Sequence, residues 1–268
     1  MSSHAAEVES GDRFEFGENW ARFLSELSED RIAAAVASLK KMLGVDSLEG
    51  KSFLDAGSGS GLFSMAAIRL GARVRSFDFD PSSVKCTRRI KELQCPDCER
   101  WVIEAGSVLN EEYMAALGSF DVVYSWGVLH HTGDMARAFA NVASRVAPGG
   151  SLFVAIYNEQ GWVSRYWAWV KRQYNRHRAA RPLLIAFHAP YLFGLRWLVR
   201  ALSGRLAIER GMTIWYDMID WLGGYPFEVA RPETVFRYFR DRGFLLAEMT
   251  TCGGRMGCNE FVFRLAKA

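Results

Sequence analysis

The chain of 268 residues has little cysteine and little proline, five and seven residues respectively. Five thiols are an odd number, and no paired spacing accompanies the single Cys95-Pro-Asp-Cys98. That excludes a disulfide framework and leaves the lone pair without the second couple a zinc site uses, so reduced thiols and no metal are expected. No charge-free run reaches the roughly 18 apolar residues of a membrane-spanning helix. The opening "MSSHAAEVESGDRFEFGENW" lacks the basic-then-apolar pattern of a secretory leader, which with the thiols leads to the expectation of a cytoplasmic protein. Low-complexity tracts and internal repeats are also missing, which excludes a solenoid. A net charge of only +3 excludes a polycation.

What is present describes a globule with a real core: half the residues are apolar and 24% charged. The charge is unevenly spread, with ten Lys or Arg against two acids between Glu159 and Arg210. From about 50 to 158, short apolar strands ("KSFLDAG", "RVRSFDF", "RWVIEAG", "FDVVYSW", "GSLFVAIYN") alternate with amphipathic helices. Such alternation builds a parallel sheet covered by helices on both faces, with ligands at the carboxyl ends of the strands. The expected organisation is a helical cover over 1–49, a ligand-binding core over 50–158 and an aromatic, basic helical insertion over 159–225. A last helix and a terminal strand pair over 226–268 then complete the core.

The turn Gly57-Ser58-Gly59-Ser60-Gly61-Leu62 follows the first strand directly. A dinucleotide fingerprint beginning at Gly57 needs glycine where Leu62 stands, and a Walker loop needs a lysine that is absent. Asp55, two residues before the first glycine, repels a pyrophosphate at short range and favours a ligand with positive charge. S-adenosylmethionine, with a sulfonium and an ammonium against one carboxylate, fits. Asp78 closes the second strand, where a carboxylate can accept hydrogen bonds from both ribose hydroxyls.

With these residues the chain resembles the class I S-adenosylmethionine-dependent methyltransferases, in particular the small-molecule group with the ubiquinone and menaquinone methylases. The likeness covers 50–158 closely and 226–268 more loosely. It implies a Rossmann-like α/β fold, a seven-stranded, mostly parallel sheet with an antiparallel last strand and a helical insertion between strands five and six. It also implies S-adenosylmethionine as co-substrate. "LDAGSGSG" matches the donor-binding loop, with Asp55, Ala56, Gly57, Ser58 and Gly59 around the methionine part. Asp78 matches the ribose acid and Phe79 the neighbour that packs on adenine. In "EAGSVLN", which matches the segment that reads the adenine amino group, Ser107 replaces the usual aspartate, which implies either a weaker contact or one moved to the Val108 backbone. "FDVVYSWGVLHHTGD" places Ser125 and Trp126 near the transferred methyl.

Methyl transfer needs alignment and a route for the acceptor's proton. His130 and His131 are the base candidates, against the plainer role of packing beside Trp126 or capping the next helix. In the ubiquinone O-methyltransferases, glutamates and a histidine at this place bind a metal; here Gly127 and His130 stand at the glutamate positions and only His131 is kept, so no such metal is expected. Six of nine tryptophans lie between Trp162 and Trp221. The insertion reads as a lid or homo-oligomer interface, as a peripheral membrane or amphiphile-binding surface, or as a nucleic-acid groove. Tyr157, Asp217, Asp220 and Tyr225, with Glu228 nearby, are the candidate acceptor contacts, and Asn19 and Trp20 are candidates to fold over the donor. The expected activity is methylation of a small apolar or amphiphilic acceptor, oxygen first. Nucleic acid is the less favoured acceptor, and a catalytically silent donor-binding scaffold is the third reading.

Overall fold

Strand-forming runs rich in valine, phenylalanine and tyrosine give β1 (Ser52–Ala56), β2 (Arg73–Asp78), β3 (Trp101–Ala105), β4 (Phe120–Trp126), β5 (Val146–Tyr157), β6 (Phe244–Thr250) and β7 (Cys258–Leu265). The computed structural model describes residues 3–16, 27–195 and 214–267. All seven strands share one sheet in the order β3-β2-β1-β4-β5-β7-β6. Neighbours among β1 to β5 pair in parallel, while β7 runs antiparallel to both β5 and β6. The chain order reverses between β1 and β4, which opens a crevice at their carboxyl ends.

The described helices are α1 (His4–Glu9), α2 (Glu29–Leu43), α3 (Leu62–Arg69), α4 (Pro81–Gln94), α5 (Glu111–Ala116), α6 (Met135–Ala143), α7 (Trp162–Arg176), α8 (Arg181–Ala189), α9 (Ile214–Gly223) and α10 (Pro232–Arg240). Their ends follow local chemistry. Ser28 accepts from Arg31 N to start α2, which stops at the left-handed Gly44. Asp80 accepts from Ser82 N, with Pro81 at the first position of α4.

Alternation along each strand divides the core in two. Leu54, Phe77, Val123, Phe239 and Phe263 pack on the face covered by α6 and α10. Phe53, Met65, Val122 and Phe153 pack on the other, with Ile32 and Leu39 of α2. The insertion has a small core of its own, built from Trp167, Val170, Tyr174, Met218 and Leu222. Residues 10–16 run from that core across the carboxyl end of the sheet. Phe14 N donates to Tyr225 O at 2.8 Å, and Asp12 pairs with Arg176 at 3.0 Å. A Cβ on Gly11 would stand 2.8 Å from Asn175 O, so only glycine allows this close crossing. No helix among the described residues is long and apolar enough to cross a membrane.

One polar chain crosses the second core face. Trp101 Nε1 donates to Ser76 Oγ at 2.8 Å, Ser76 meets Ser64 Oγ at 2.7 Å, and Ser64 donates to Asp55 Oδ2. Indole N–H can only donate and an ionised carboxylate can only accept, so the two hydroxyls align head to tail toward Asp55. Ser76→Ala leaves the fully buried Trp101 N–H without its acceptor and lowers stability by about 1–3 kcal/mol. Adding Trp101→Phe recovers part of that loss in denaturant titrations. A fully additive double mutant would disprove the coupling.

Candidate active site

The glycine turn leaves β1 with three left-handed positions, Gly57 (φ 88), Gly59 (φ 53) and Gly61 (φ 85). A Cβ on Gly57 would lie 2.5 Å from the Val128 side chain, so the turn passes against the loop after β4. Gly57 N and Ser58 N both donate to Phe77 O, and Gly59 N donates to Asp78 Oδ2 at 2.9 Å. Asp78 Oδ1 accepts from Asp80 N at 2.9 Å. Asp78 therefore clasps the turn with one oxygen and its own loop with the other. Each oxygen keeps acceptor capacity for a ribose hydroxyl. Burial raises its pKa to about 6 against the lowering effect of those backbone donors.

Asp55 is the more enclosed of the pair, 2% exposed. Its carboxylate is bound to Ser64 rather than displayed in the crevice. Burial raises its pKa to about 7, opposed by the Ser64 hydroxyl, with the Asp78 charge adding to the rise. Two carboxyl groups are thus held at the strand ends with pKa values close to neutrality, where a cation beside them favours their ionised forms. These acids and the glycine turn fit the charge and outline of S-adenosylmethionine.

The remaining donor-site candidates sort by exposure and partners. Phe79 is partly buried, with the His4 ring 5.5 Å away edge-on and the Arg13 guanidinium 4.9 Å from its centroid. Ser107 Oγ accepts from Leu109 N at 3.2 Å, and Val108 O accepts from Asn141 Nδ2 at 2.7 Å, so both stabilise the turn after β3. Ser125 is fully buried and donates to Ala56 O at 2.8 Å, stapling β4 to β1. Trp126 Nε1 donates to Glu260 Oε1 at 2.8 Å. Asn19 and Trp20 lie outside the described residues.

His130 and His131 form a 3-10 turn with Leu129 directly beyond β4, and their hydrogen bonds give them different tautomers. Tyr157 N–H points at His130 Nδ1 at 3.3 Å, so Nδ1 is the acceptor and the neutral ring carries its proton on Nε2. That Nε2–H is buried and has no partner. His131 Nδ1 lies 2.6 Å from Pro226 O, so Nδ1 is the donor and Nε2 holds the lone pair. Burial lowers the His131 pKa to about 3; the Pro226 carbonyl opposes the shift, and the charges of Lys171 and Arg13 add to it. His130 is lowered well below the usual histidine range, first by burial and then by the charges of His131 and Lys171. Both rings are neutral near pH 7. Only His131 keeps a share of exposure (9%), against none for His130.

Aromatic groups wall this turn. The Tyr157 ring stands 4.0 Å from His130, 5.5 Å from His131, 5.6 Å from Trp221 and 5.5 Å from Phe227. Phe16 is 5.0 Å from His131, and Arg13 Nη1 donates to His131 O at 2.9 Å. Lys171 is 1% exposed, its ammonium 4.3 Å from the Trp221 centroid and bonded to Trp221 O. Sequence reasoning missed Arg13, Lys171 and the Pro226 carbonyl. Lys171 carried a signal, since it falls within the apolar stripe of Trp167, Val170 and Tyr174 on α7. Arg13 carried none.

Two acceptor-contact expectations change. Glu228 accepts from Met135 N at 3.0 Å, a cap on α6 with a pKa raised by burial, so its carboxylate serves that helix start. Tyr225 contributes its carbonyl to Phe14 N and thereby anchors the N-terminal crossing. Asp217 and Asp220 sit on α9, and their side chains lie outside the described set. Among the described residues no group of three or more His, Cys, Asp or Glu could hold a metal ion.

The raised carboxyl pKa values fix a sign. Below about pH 7 the free site holds protons that a bound cation displaces, so uptake of S-adenosylmethionine releases protons and weakens on acidification. Calorimetry in buffers of different ionisation enthalpy should show that release, with affinity falling from pH 8 to 5.5. Equal affinity across the range would contradict the assignment. Gly57→Ala, strained in backbone and blocked by Val128, should abolish donor binding in the same assay.

Residues 54–152 match the family model described as a methyltransferase domain. A ubiquinone biosynthesis O-methyltransferase of Xanthomonas campestris pv. campestris (strain B100) is 33% identical over 135 residues, covering 50% of this chain and 51% of that protein. One of Methylocella silvestris is 36% identical over 113 residues, covering 41% of each. The chain thus spans about half the length of the curated relatives it matches. Among solved structures, the putative methyltransferase complexed with the Haloferax volcanii Trm112 activator superposes with a TM-score of 0.54 at 16% identity, covering 95% of this chain and 97% of that one. Magnesium protoporphyrin IX methyltransferase from Synechocystis PCC 6803 with bound SAH gives 0.52 at 15%, covering 88% and 82%. The matched segment holds the glycine turn, both strand-end acids and the histidine turn. Residues 54–152 are thus similar to a methyltransferase domain, and the chain around them has the fold of the solved methyltransferases above.

Proposed function

We propose that the protein transfers a methyl group from S-adenosylmethionine to an oxygen of a small apolar or amphiphilic acceptor, with His131 as the general base. The observation that carries this reading is the His131 Nδ1–H bond to Pro226 O, which leaves a lone pair on Nε2 beyond the end of β4. The donor supplies an activated methyl on a sulfonium. The chain's own part is to align the acceptor oxygen with it and to take the proton that this oxygen sheds. Sulfonium, hydroxyl and neutral imidazole become thioether, methyl ether and imidazolium, so one positive charge moves across the site and none is created. His130, fully buried and with its lowered pKa, is not a second base in this scheme.

The acceptor side is the aromatic wall of Tyr157, Trp167, Trp221 and Phe227, of which Trp167 and Trp221 come from the insertion over 159–225 acting as a lid. These aromatic faces suit a ring, and Asn158, Gln160 and Ser164 beside them supply polar contacts for an amphiphilic one. The ubiquinone methylases named above support oxygen as the accepting atom. The division into N-terminal cover, core, insertion and terminal strand pair belongs to this proposal, as does a cytoplasmic setting.

His131→Asn keeps a donor for Pro226 O and removes the base. With labelled donor and a panel of phenolic amphiphiles, it should lower kcat by about 10²–10⁴-fold while S-adenosylhomocysteine affinity stays within about twofold. With S-adenosylmethionine saturating at every pH, the wild-type kcat should show no break attributable to His131 near pH 6.5, because its pKa is lowered to about 3. A variant retaining a third or more of the activity would rule out the base.

A further inference from the structure

The insertion turns an unusual surface outward. Among the described residues, five of the ten exposed large apolar side chains belong to α7, α8 and the turn after α8. On α8 and its continuation, Leu183, Phe187 and Tyr191 follow one another at four-residue intervals and are 74%, 75% and 56% exposed. That spacing puts them on one helix face. The opposite face is fixed by packing. His188 is buried, its Nε2 lies 2.7 Å from Tyr166 Oη, and its ring stands 5.2 Å from Trp167. The apolar stripe is therefore held away from α7 and does not fold into the insertion's own core.

The exposed face of α7 alternates tryptophan and arginine at helical spacing: Trp162, Arg165, Trp169 and Arg172. Trp162 and Trp169 are 71% and 56% exposed. Arg178, in the turn between the helices, is exposed as well. No aspartate or glutamate occurs between Glu159 and Glu209. Bulky apolar groups, indoles and guanidinium groups together, with no carboxylate on either helix and only Asp12 beside Arg172 and Arg176 at the end of α7, are the composition of a helix pair that lies in a bilayer interface. There the apolar stripe enters the acyl boundary, the indoles sit at headgroup depth, and the arginines meet lipid phosphates.

Charge separates this occupant from the others. A two-fold dimer through this face would set arginines against arginines, since such an interface must be complementary to itself. A nucleic acid would satisfy the arginines and could stack bases on the aromatic rings, but it would leave Leu183, the aliphatic member at one end of the α8 stripe, in water, whereas an acyl boundary takes the whole stripe. We propose that α7 and α8 form a peripheral docking face for an anionic bilayer surface. This does not depend on the acceptor reading above: it concerns the outer face of the insertion, and its readout is lipid binding without turnover.

The full-length protein is mixed with vesicles of phosphatidylcholine alone or with a quarter phosphatidylglycerol, and bound protein is sedimented. Binding is expected to the anionic vesicles, to fall steeply between about 50 and 500 mM KCl, and to drop by about tenfold or more in Leu183→Ser/Phe187→Ser. Both substituted residues are exposed, so S-adenosylhomocysteine affinity should not change and reports that the variant is folded. Failure to bind anionic vesicles overturns the proposal, as does equal binding by wild type and double variant. A subunit association that the double variant abolishes, without vesicle binding, would reassign the face to a protein interface; RNA retention without vesicle binding would reassign it to a groove. If methyl transfer fails in every acceptor assay while vesicle binding holds, the activity proposal falls and this one stands.

Discussion

A carboxylate removed from water at the end of β1 must be compensated, and here the compensation is a directed chain of donors that ties four elements together. Trp101 on β3, Ser76 on β2 and Ser64 on α3 point their protons in sequence toward Asp55 on β1. The chain sets where α3 begins relative to the sheet, and α3 begins where the glycine turn ends. The turn's path is then closed by Asp78, which accepts from Gly59 N. The acid buried against Ser64 and the acid that holds the loop in place are parts of one arrangement. In a low-dielectric site such a network is strong when every member is satisfied.

The second organising feature is the crossing of residues 10–16 over the strand ends. Arg13 touches both halves of the crevice, with its guanidinium over Phe79 on the donor side and a bond to the His131 carbonyl on the other. Glu7 meets the same guanidinium at 2.6 Å. This segment, the histidine turn and the insertion converge on Tyr157, whose ring has both histidines, Trp221 and Phe227 within 6 Å. Burial keeps water from the histidine turn, which favours neutral rings there.

The insertion works in two directions. Its inner face supplies Trp167, Tyr174 and Trp221 to a core continuous with the aromatic wall. Its outer face carries the apolar and basic side chains that the inner face has no room for. The concentration of tryptophan that stands out in the sequence thus has two explanations rather than one: Trp167 and Trp221 pack inward, and Trp162 and Trp169 face solvent.

The sequence by itself determined the parallel sheet, the antiparallel end and the place of the donor turn. Those rest on short-range patterns: the two-residue period of buried strands, glycines at left-handed positions and acids at strand ends. Legibility failed wherever function depends on groups far apart in the chain. Asp55 looked like a charge offered to the ligand, and only the packing of α3 showed it bonded to Ser64. Glu228 looked like an acceptor contact, and only its approach to Met135, 93 positions away, made it a helix cap. The two histidines are adjacent and equivalent in sequence, yet a backbone N–H faces Nδ1 of the first and a backbone carbonyl faces Nδ1 of the second. Residue type fixes what a side chain is able to do; the neighbours that fix which proton it carries and how much water it sees are brought in by the tertiary structure alone.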